Sequence, residues 1–245
     1  MPIKINIPSS LNEITLRQYK QFLDIQKENK EDRFLNAKMI QVFCKVNLEQ
    51  VMRLKLSDSE SIVKIISDMF EEKPALVKKF KIGKTEYGFH PELDAMTLGE
   101  YIDLDTFISD WDNMEKAMNV LYRPVLVSVK ERYSIEDYNI DTASDMLDMP
   151  MDAVMSAVFF FVEFRDRIIN SYDELFGQSG NGTLDAVSQF SKKWGWYQSI
   201  FGLAKGDIRR FEDITKLSMH ECFMMLSFMK DKADVEAKEI KKKFK

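Results

Sequence analysis

The chain has 245 residues, with 35 Lys and Arg against 40 Asp and Glu, a formal net charge of −5 and 45% hydrophobic residues. These figures exclude a disulfide mini-protein, a collagen-like repeat and a disordered acidic tail. A chain of this length buries roughly 70–75% of the surface it exposes when unfolded, so it can build a core without metal or cross-links, as one large domain or two small ones.

Ile3, Ile5 and Ile7 alternate with Lys4 and Asn6, the period of a half-buried strand, and Pro8 stops the run. One local signal then recurs four times: an apolar residue, Ser or Thr, two spacers, an acid or Gln, and a further apolar residue. The copies begin at Ile14-Thr15, Met96-Thr97, Tyr133-Ser134 and Leu217-Ser218. A hydroxyl there can cap the free N–H groups of a first helical turn, and the acid or amide can return the bond. Each copy therefore predicts a helix start worth ~1 kcal/mol of capping.

Apolar spacing predicts the first four helices. They carry Leu16, Tyr19, Phe22 and Leu23; then Phe34, Leu35, Met39, Ile40 and Phe43; then Leu48 and Val51; then Ile62, Ile65, Ile66, Met69 and Phe70. Residues 76–90 read as a β-hairpin around Gly83, leaning on helices or on the strand at residues 3–7. From Thr97 to Leu121 the pattern is helical and acidic, and Pro124 interrupts it. Met151 to Phe176 is apolar nearly all round at its centre, which places it mid-core. Residues 177–182 read as a Gly-rich linker. A helix from Leu184 to Lys205 follows, and a last one runs from Ser218 to about Ile240. The expected fold is mainly α, a helical core of residues 1–176 with a small hairpin and a C-terminal helical part of residues 183–245.

Cys44 and Cys222 sit among apolar neighbours and read as reduced, buried thiols. The N-terminus lacks the charged start and long apolar stretch of a signal peptide. The longest uncharged run, Trp194 to Ala204, falls short of the ~20 residues of a membrane span. The sequence thus predicts a cytoplasmic protein with no membrane partner.

Charge is unevenly spread. Residues 92–164 hold 4 basic and 16 acidic groups, while the flanking segments are net positive. Such a segment repels itself unless basic surface folds onto it or a basic partner covers it. No dense Lys/Arg cluster carries interleaved aromatics, which argues against nucleic acid as the partner. Glu100, Asp103, Asp105, Asp110, Asp112 and Glu115 are candidates for a docking face. Clustered carboxylates can also hold a divalent cation for catalysis, but here no Gly occupies a calcium-loop turn and helix-core residues interleave. No Cys/His pair has zinc-ligand spacing, and no phosphate loop or nucleophile elbow is present. The sequence implies no cofactor and no catalytic residue.

The densest aromatic feature is Trp194-Gly195-Trp196-Tyr197, with Phe201 one turn further on. Gly195 and Gly202 lie seven apart, the spacing of one helix face that admits a close backbone. The chain holds 15 methionines, and Met-rich faces suit adaptable peptide grooves. Met224, Met225 and Met229, with Met146, Met149, Met151 and Met155, are the residues to follow. Trp194, Trp196, Tyr197, Phe201, Met224, Met225 and Met229 are the candidate partner-binding set, against the plainer reading of packing within the chain.

Two stretches carry a family resemblance. Tyr87-Gly88-Phe89-His90-Pro91-Glu92-Leu93-Asp94-Ala95-Met96-Thr97-Leu98-Gly99-Glu100-Tyr101-Ile102-Asp103-Leu104, followed by Ala117 to Pro124, resembles proteins from the structural gene blocks of tailed bacteriophages. Trp194-Gly195-Trp196-Tyr197, Leu203-Ala204-Lys205-Gly206-Asp207-Ile208, Phe211-Glu212-Asp213-Ile214 and Met229-Lys230-Asp231-Lys232 are similar to the C-terminal helices of phage tail assembly chaperones. The resemblance implies a non-enzymatic assembly protein in the host cytoplasm, binding a segment of a tail or other virion protein; a second copy of the chain is a further candidate partner. A structural or packaged protein of the mature virion, as in crAss-like phages, would look similar.

Overall fold

A computed structural model describes residues 4–130, 132–176 and 193–243. Among them are eleven helices and one small antiparallel sheet, so the fold is mainly α. The chain divides into two compact units that interleave in sequence. One comprises residues 1–91 and 106–160, the other residues 92–105 and 161–245. The expected linker at 177–182 lies outside the described residues.

The first unit opens with α1 (Leu16–Glu28), α2 (Asp32–Phe43), α3 (Leu48–Val51) and α4 (Leu56–Glu71). Thr15 starts α1 through a reciprocal cap: its Oγ1 accepts the Gln18 N–H at 3.3 Å, and the Gln18 side chain accepts the Thr15 N–H at 3.1 Å. Strands β1 (Lys79–Ile82) and β2 (Thr85–Phe89) form the expected hairpin. Gly83 takes φ +58 at the first central position of its two-residue turn, where a side chain would be strained. After α5 (Leu98–Phe107) and α6 (Met114–Leu121), the chain runs straight into β3 (Tyr122–Val129) and β4 (Arg132–Ile135), giving the order β1-β2-β3-β4.

Two expectations fail here. The third capping signal, at Tyr133-Ser134, is not a helix start but part of β4, paired with Val127 to Val129 of β3. The β-branched run Val125-Leu126-Val127-Ser128-Val129 just upstream supplies a partner strand, and a strand ladder then outcompetes a cap worth ~1 kcal/mol. Residues 4–8 form no strand, although Ile5 and Ile7 are half-buried between exposed Lys4 and Asn6 as the alternation required.

Helix α7 (Met151–Ser171) begins in the first unit and ends in the second. Val154, Ala157 and Phe161 are fully buried, but Phe160 and Val162 are exposed, so the helix has a solvent face and is not enclosed all round. The second unit continues with α8 (Asp173–Phe176), α9 (Trp196–Leu203), α10 (Phe211–Thr215) and α11 (Met219–Lys243). The expected helix start at Leu184 lies outside the described residues.

Both units are organised on the same joint. In the first, Thr15 and Pro150, each just before a helix, form an antiparallel bridge. The Leu16 N–H donates to the Met149 carbonyl at 3.0 Å, and the Met151 N–H donates to the Ile14 carbonyl at 2.8 Å. In the second, Thr97 and Ser218 do the same. Leu98 N–H meets the Leu217 carbonyl at 2.8 Å, and Met219 N–H meets the Met96 carbonyl at 3.0 Å. A helix start leaves N–H groups without intrahelical partners. Each joint satisfies one such group per helix and fixes two helices in register at their origins.

Candidate functional site

The six acidic docking candidates divide between the two units. Three of them, Asp110, Asp112 and Glu115, belong to the first unit and three, Glu100, Asp103 and Asp105, to the second. Glu100 is buried and completes the Thr97 cap, its carboxylate accepting the Thr97 N–H at 2.8 Å and the hydroxyl at 3.1 Å. Asp105 accepts from Arg165 at 2.8 Å and from the Trp196 indole N–H at 3.1 Å. Asp110 caps the turn at Trp111, accepting from the Asp112 N–H and the Asn113 amide, and these bonds hold its carboxyl below the usual range. Asp112 pairs with Lys27 at 2.5 Å and Glu115 with Lys20. Asp103 is engaged as well. Asp105, Asp112 and Glu115 are thus paired with Arg165, Lys27 and Lys20 of the same chain, while Glu100 and Asp110 serve as caps. Among the described residues, no three His, Cys, Asp or Glu side chains are grouped to hold a metal ion.

The aromatic set tells another story. Within the second unit, α8, α9 and α11 enclose an open apolar groove of about 720 Å³, lined among others by Phe176, Trp194, Trp196, Tyr197, Phe201 and Met229. Its foundation is Phe223, fully buried on the first turns of α11. Around that ring stand Tyr101, Tyr172 and Phe176 at centroid distances of 5.2, 5.3 and 5.5 Å, all near edge-on, and Trp196 stacked at 6.0 Å. Edge-to-face packing fixes ring orientation as well as position. The Asp105 bond to the Trp196 indole ties that ring down a second time.

Above this rigid base the outer wall is open. Trp194, Tyr197 and Phe201 are 42%, 47% and 52% exposed. Trp194 packs on Tyr197 at 5.6 Å, and Tyr197 meets Phe211 edge-on at 5.3 Å. The walls are thus supported from behind and apolar in front.

The glycine spacing was misleading. Gly195 is the residue before α9, with φ +45 and open space where a Cβ would stand, so it serves the turn and not a helix face. Gly202 does lie in α9, but the nearest atom to its absent Cβ is the Met229 methyl at 3.7 Å, not a second backbone. Of the methionines, Met229 lines the groove, whereas Met224 and Met225 are exposed elsewhere on α11. Met146, Met149 and Met151 are fully buried core residues.

Sequence reasoning missed the partners that make the groove rigid: Tyr101, Tyr172, Phe176 and Phe223. It also missed a polar chain at the start of α11. The Tyr172 hydroxyl meets His220 Nδ1 at 2.8 Å, His220 Nε2 meets Asp94 at 3.2 Å, and Asp94 pairs with Arg167 at 3.3 Å. These side chains come from segments far apart in sequence, and no local spacing announces them.

Cys44 and Cys222 are both buried and free, and burial pushes the Cys44 thiol up to about 11. Among the described residues, no helix is long and apolar enough to cross a membrane. Compared with protein-family models, curated proteins and solved structures, the chain shows no significant match.

Proposed function

We propose that this protein is a non-enzymatic bacteriophage assembly protein, similar to tail assembly chaperones, that holds an amphipathic helical segment of another virion protein in the groove between α8, α9 and α11. The observation that carries the reading is a fixed aromatic base beneath exposed aromatic walls. Exposed Trp and Tyr on a pre-ordered support resemble the anchors that dominate protein interfaces, because little side-chain freedom is lost on binding. A groove bounded by helices accepts an apolar helix face through anchors at i, i+3 or i+4 and i+7. The phage context rests on the resemblance of residues 87–104, 117–124 and 194–214 to phage assembly proteins. The acidic segment plays no part in this reading.

The test is co-expression of the full chain with the virion proteins encoded beside it, followed by purification. A retained virion protein that is lost with Phe201→Asp supports the proposal. No retained protein, together with absence of the chain from assembly intermediates, refutes it. The rival reading, a structural or packaged virion protein, predicts stoichiometric peptides of this chain in purified particles by mass spectrometry.

A further inference from the structure

The groove between α8, α9 and α11 has its floor on α11, and the floor continues past the end of the groove. Leu226, Ala233, Ala237 and Ile240 follow one another at i, i+7, i+11 and i+14, so they form one stripe along the helix, with Met229 at its margin. Leu226 and Met229 line the groove, and the rest of the stripe lies beyond it. From Asp231 to Lys243 every residue is exposed, Ile240 at 56%. Among the described residues, nothing covers the stripe on these last three turns. Most helical stability comes from a packed face. The chain therefore displays an open groove shaped for the apolar side of a helix and, directly beyond it, a helix whose apolar side has no groove.

Groove and free turns cannot meet within one copy, because the free turns prolong the groove's own floor. They can meet between two copies. A two-fold axis perpendicular to α11 at Ala233 lays a second α11 antiparallel on the first. Residues equally far from 233 in number then come to one level. Ala233 faces Ala233, Met229 faces Ala237, and Leu226 faces Ile240 of the second copy, so every level is apolar on both sides. Alanine at the axis admits the ~8 Å approach of a close helix pair. Ile240 of each copy thereby enters the other's groove at the level of Leu226. The orientation is set by this apolar matching and not by charge. In a parallel pair, Ala233, Ala237 and Ile240 would meet only their own counterparts, and both grooves would stay empty. In the antiparallel pair the charged residues nearest the contact line meet no like charge: Lys230 comes beside Ala237, and Glu236 beside Met229, of the second copy. The open parts of Trp194, Tyr197 and Phe201 offer ~300 Å². One side of the ~18 Å of free helix offers about as much again. Each copy contributes both, which brings the contact to ~1,200 Å² in total, the lower end of specific interfaces.

We infer that two copies of this chain form an isologous dimer in which the last turns of each α11 occupy the other copy's groove, antiparallel and centred on Ala233. The dimer closes the site assigned above to a virion helix, so it holds that site in reserve until the virion helix displaces α11. This regulatory consequence rests on the proposed function, whereas the dimer itself does not.

Sedimentation equilibrium of the full chain, with no other protein present, tests the dimer. Wild type is expected to dimerise. Ile240→Asp on the free turns and Phe201→Asp in the groove are each expected to weaken dimerisation by roughly tenfold or more. Phe228→Asp, on the opposite side of α11, is expected to leave it unchanged. Mild oxidation with diamide reads the register: Ala233→Cys is expected to cross-link two copies, and Val235→Cys, on the far side of the helix, is not. Circular dichroism checks that each variant keeps α11. A monomeric wild-type protein overturns the inference. So does a dimer that survives Ile240→Asp or Phe201→Asp, a dimer lost with Phe228→Asp, or a cross-link through Val235→Cys in place of Ala233→Cys. Ile240→Asp also separates the two readings, because it frees the groove without altering its walls. In co-expression it is expected to retain at least as much virion protein as wild type. A wild-type dimer with no virion protein retained by Ile240→Asp would overturn the proposed function and leave the dimer standing.

Discussion

At the joint of the first unit, Ile14, Leu16, Met149 and Met151 have no solvent exposure. At the matching joint of the second unit, Met96, Leu98 and Met219 are equally sealed, but Leu217 remains exposed. The same contrast runs outward from both joints. Lys20 and Lys27 of α1 pair with Glu115 and Asp112 on the first unit, whose exposed apolar side chains are aliphatic for the most part, Met52 and Leu56 beside α3 and α4 and Leu126, Val127 and Val129 along β3. In the second unit the exposed apolar side chains converge on α9 and α11. One backbone device thus supports two surfaces, and it is in the second that exposed aromatic side chains gather around a groove. Contiguous exposed apolar area is a mark of binding, whereas isolated apolar residues are ordinary.

The largest predicted effect would break that comparison at its base. Phe223→Ala removes the ring against which Tyr101, Tyr172, Phe176 and Trp196 pack, and is expected to cost about 3–5 kcal/mol of stability in urea unfolding. Unfolding is expected to lose its single transition, with the second unit melting first. A smaller effect is expected from alkaline pH. Burial raises Cys44 from 9 to about 11 and Tyr101 from 10 to about 12. Both groups stay neutral when folded, whereas the unfolded chain releases their protons first. Their contribution is therefore whole below pH 9 and is lost as pH climbs from 9 towards 12. Thermal melts across that window are expected to show a falling Tm, with a smaller fall for Cys44→Ala than for the parent above pH 9.

The caps sharpen the comparison at lower energy. Thr15→Ala and Thr97→Ala each remove a reciprocal cap from an equivalent joint, so each is expected to cost ~1 kcal/mol. A large difference between the two would show that the joints are not equivalent. The smallest effect belongs to Phe201→Asp, which changes an exposed wall residue and is expected to shift stability by no more than ~0.5 kcal/mol.

How much of this was readable in the sequence depends on the range of the interaction. Thr15 and Thr97 were legible because a cap and its answering side chain lie three residues apart. Ser134 carried the same local pattern, yet its neighbour across the hairpin decided the outcome. Pro124 was read as an interruption. It in fact lies in β3 opposite Tyr87, within a four-stranded sheet of which only the first hairpin was foreseen. The charge of residues 92–164 is legible in the sequence, but the basic partners of Glu115, Asp112 and Asp105 come from 95, 85 and 60 residues away, as Lys20, Lys27 and Arg165. A segment's net charge therefore does not report which of its acids are paired. Trp194, Trp196, Tyr197 and Phe201 are legible because a dense run of aromatic groups is conspicuous, and Met229 because it belongs to the methionines of the last helix, even though the packing that orients them is not.

The most direct test of the central claim compares two faces of the same protein in one pull-down. Full-length wild type, Phe201→Asp and Phe228→Asp are each co-expressed with the neighbouring virion proteins, and the co-purifying band is quantified. The groove account predicts a virion protein retained by wild type and by Phe228→Asp but lost, by roughly tenfold or more, with Phe201→Asp. Equal retention by all three, or loss with Phe228→Asp alone, would contradict it.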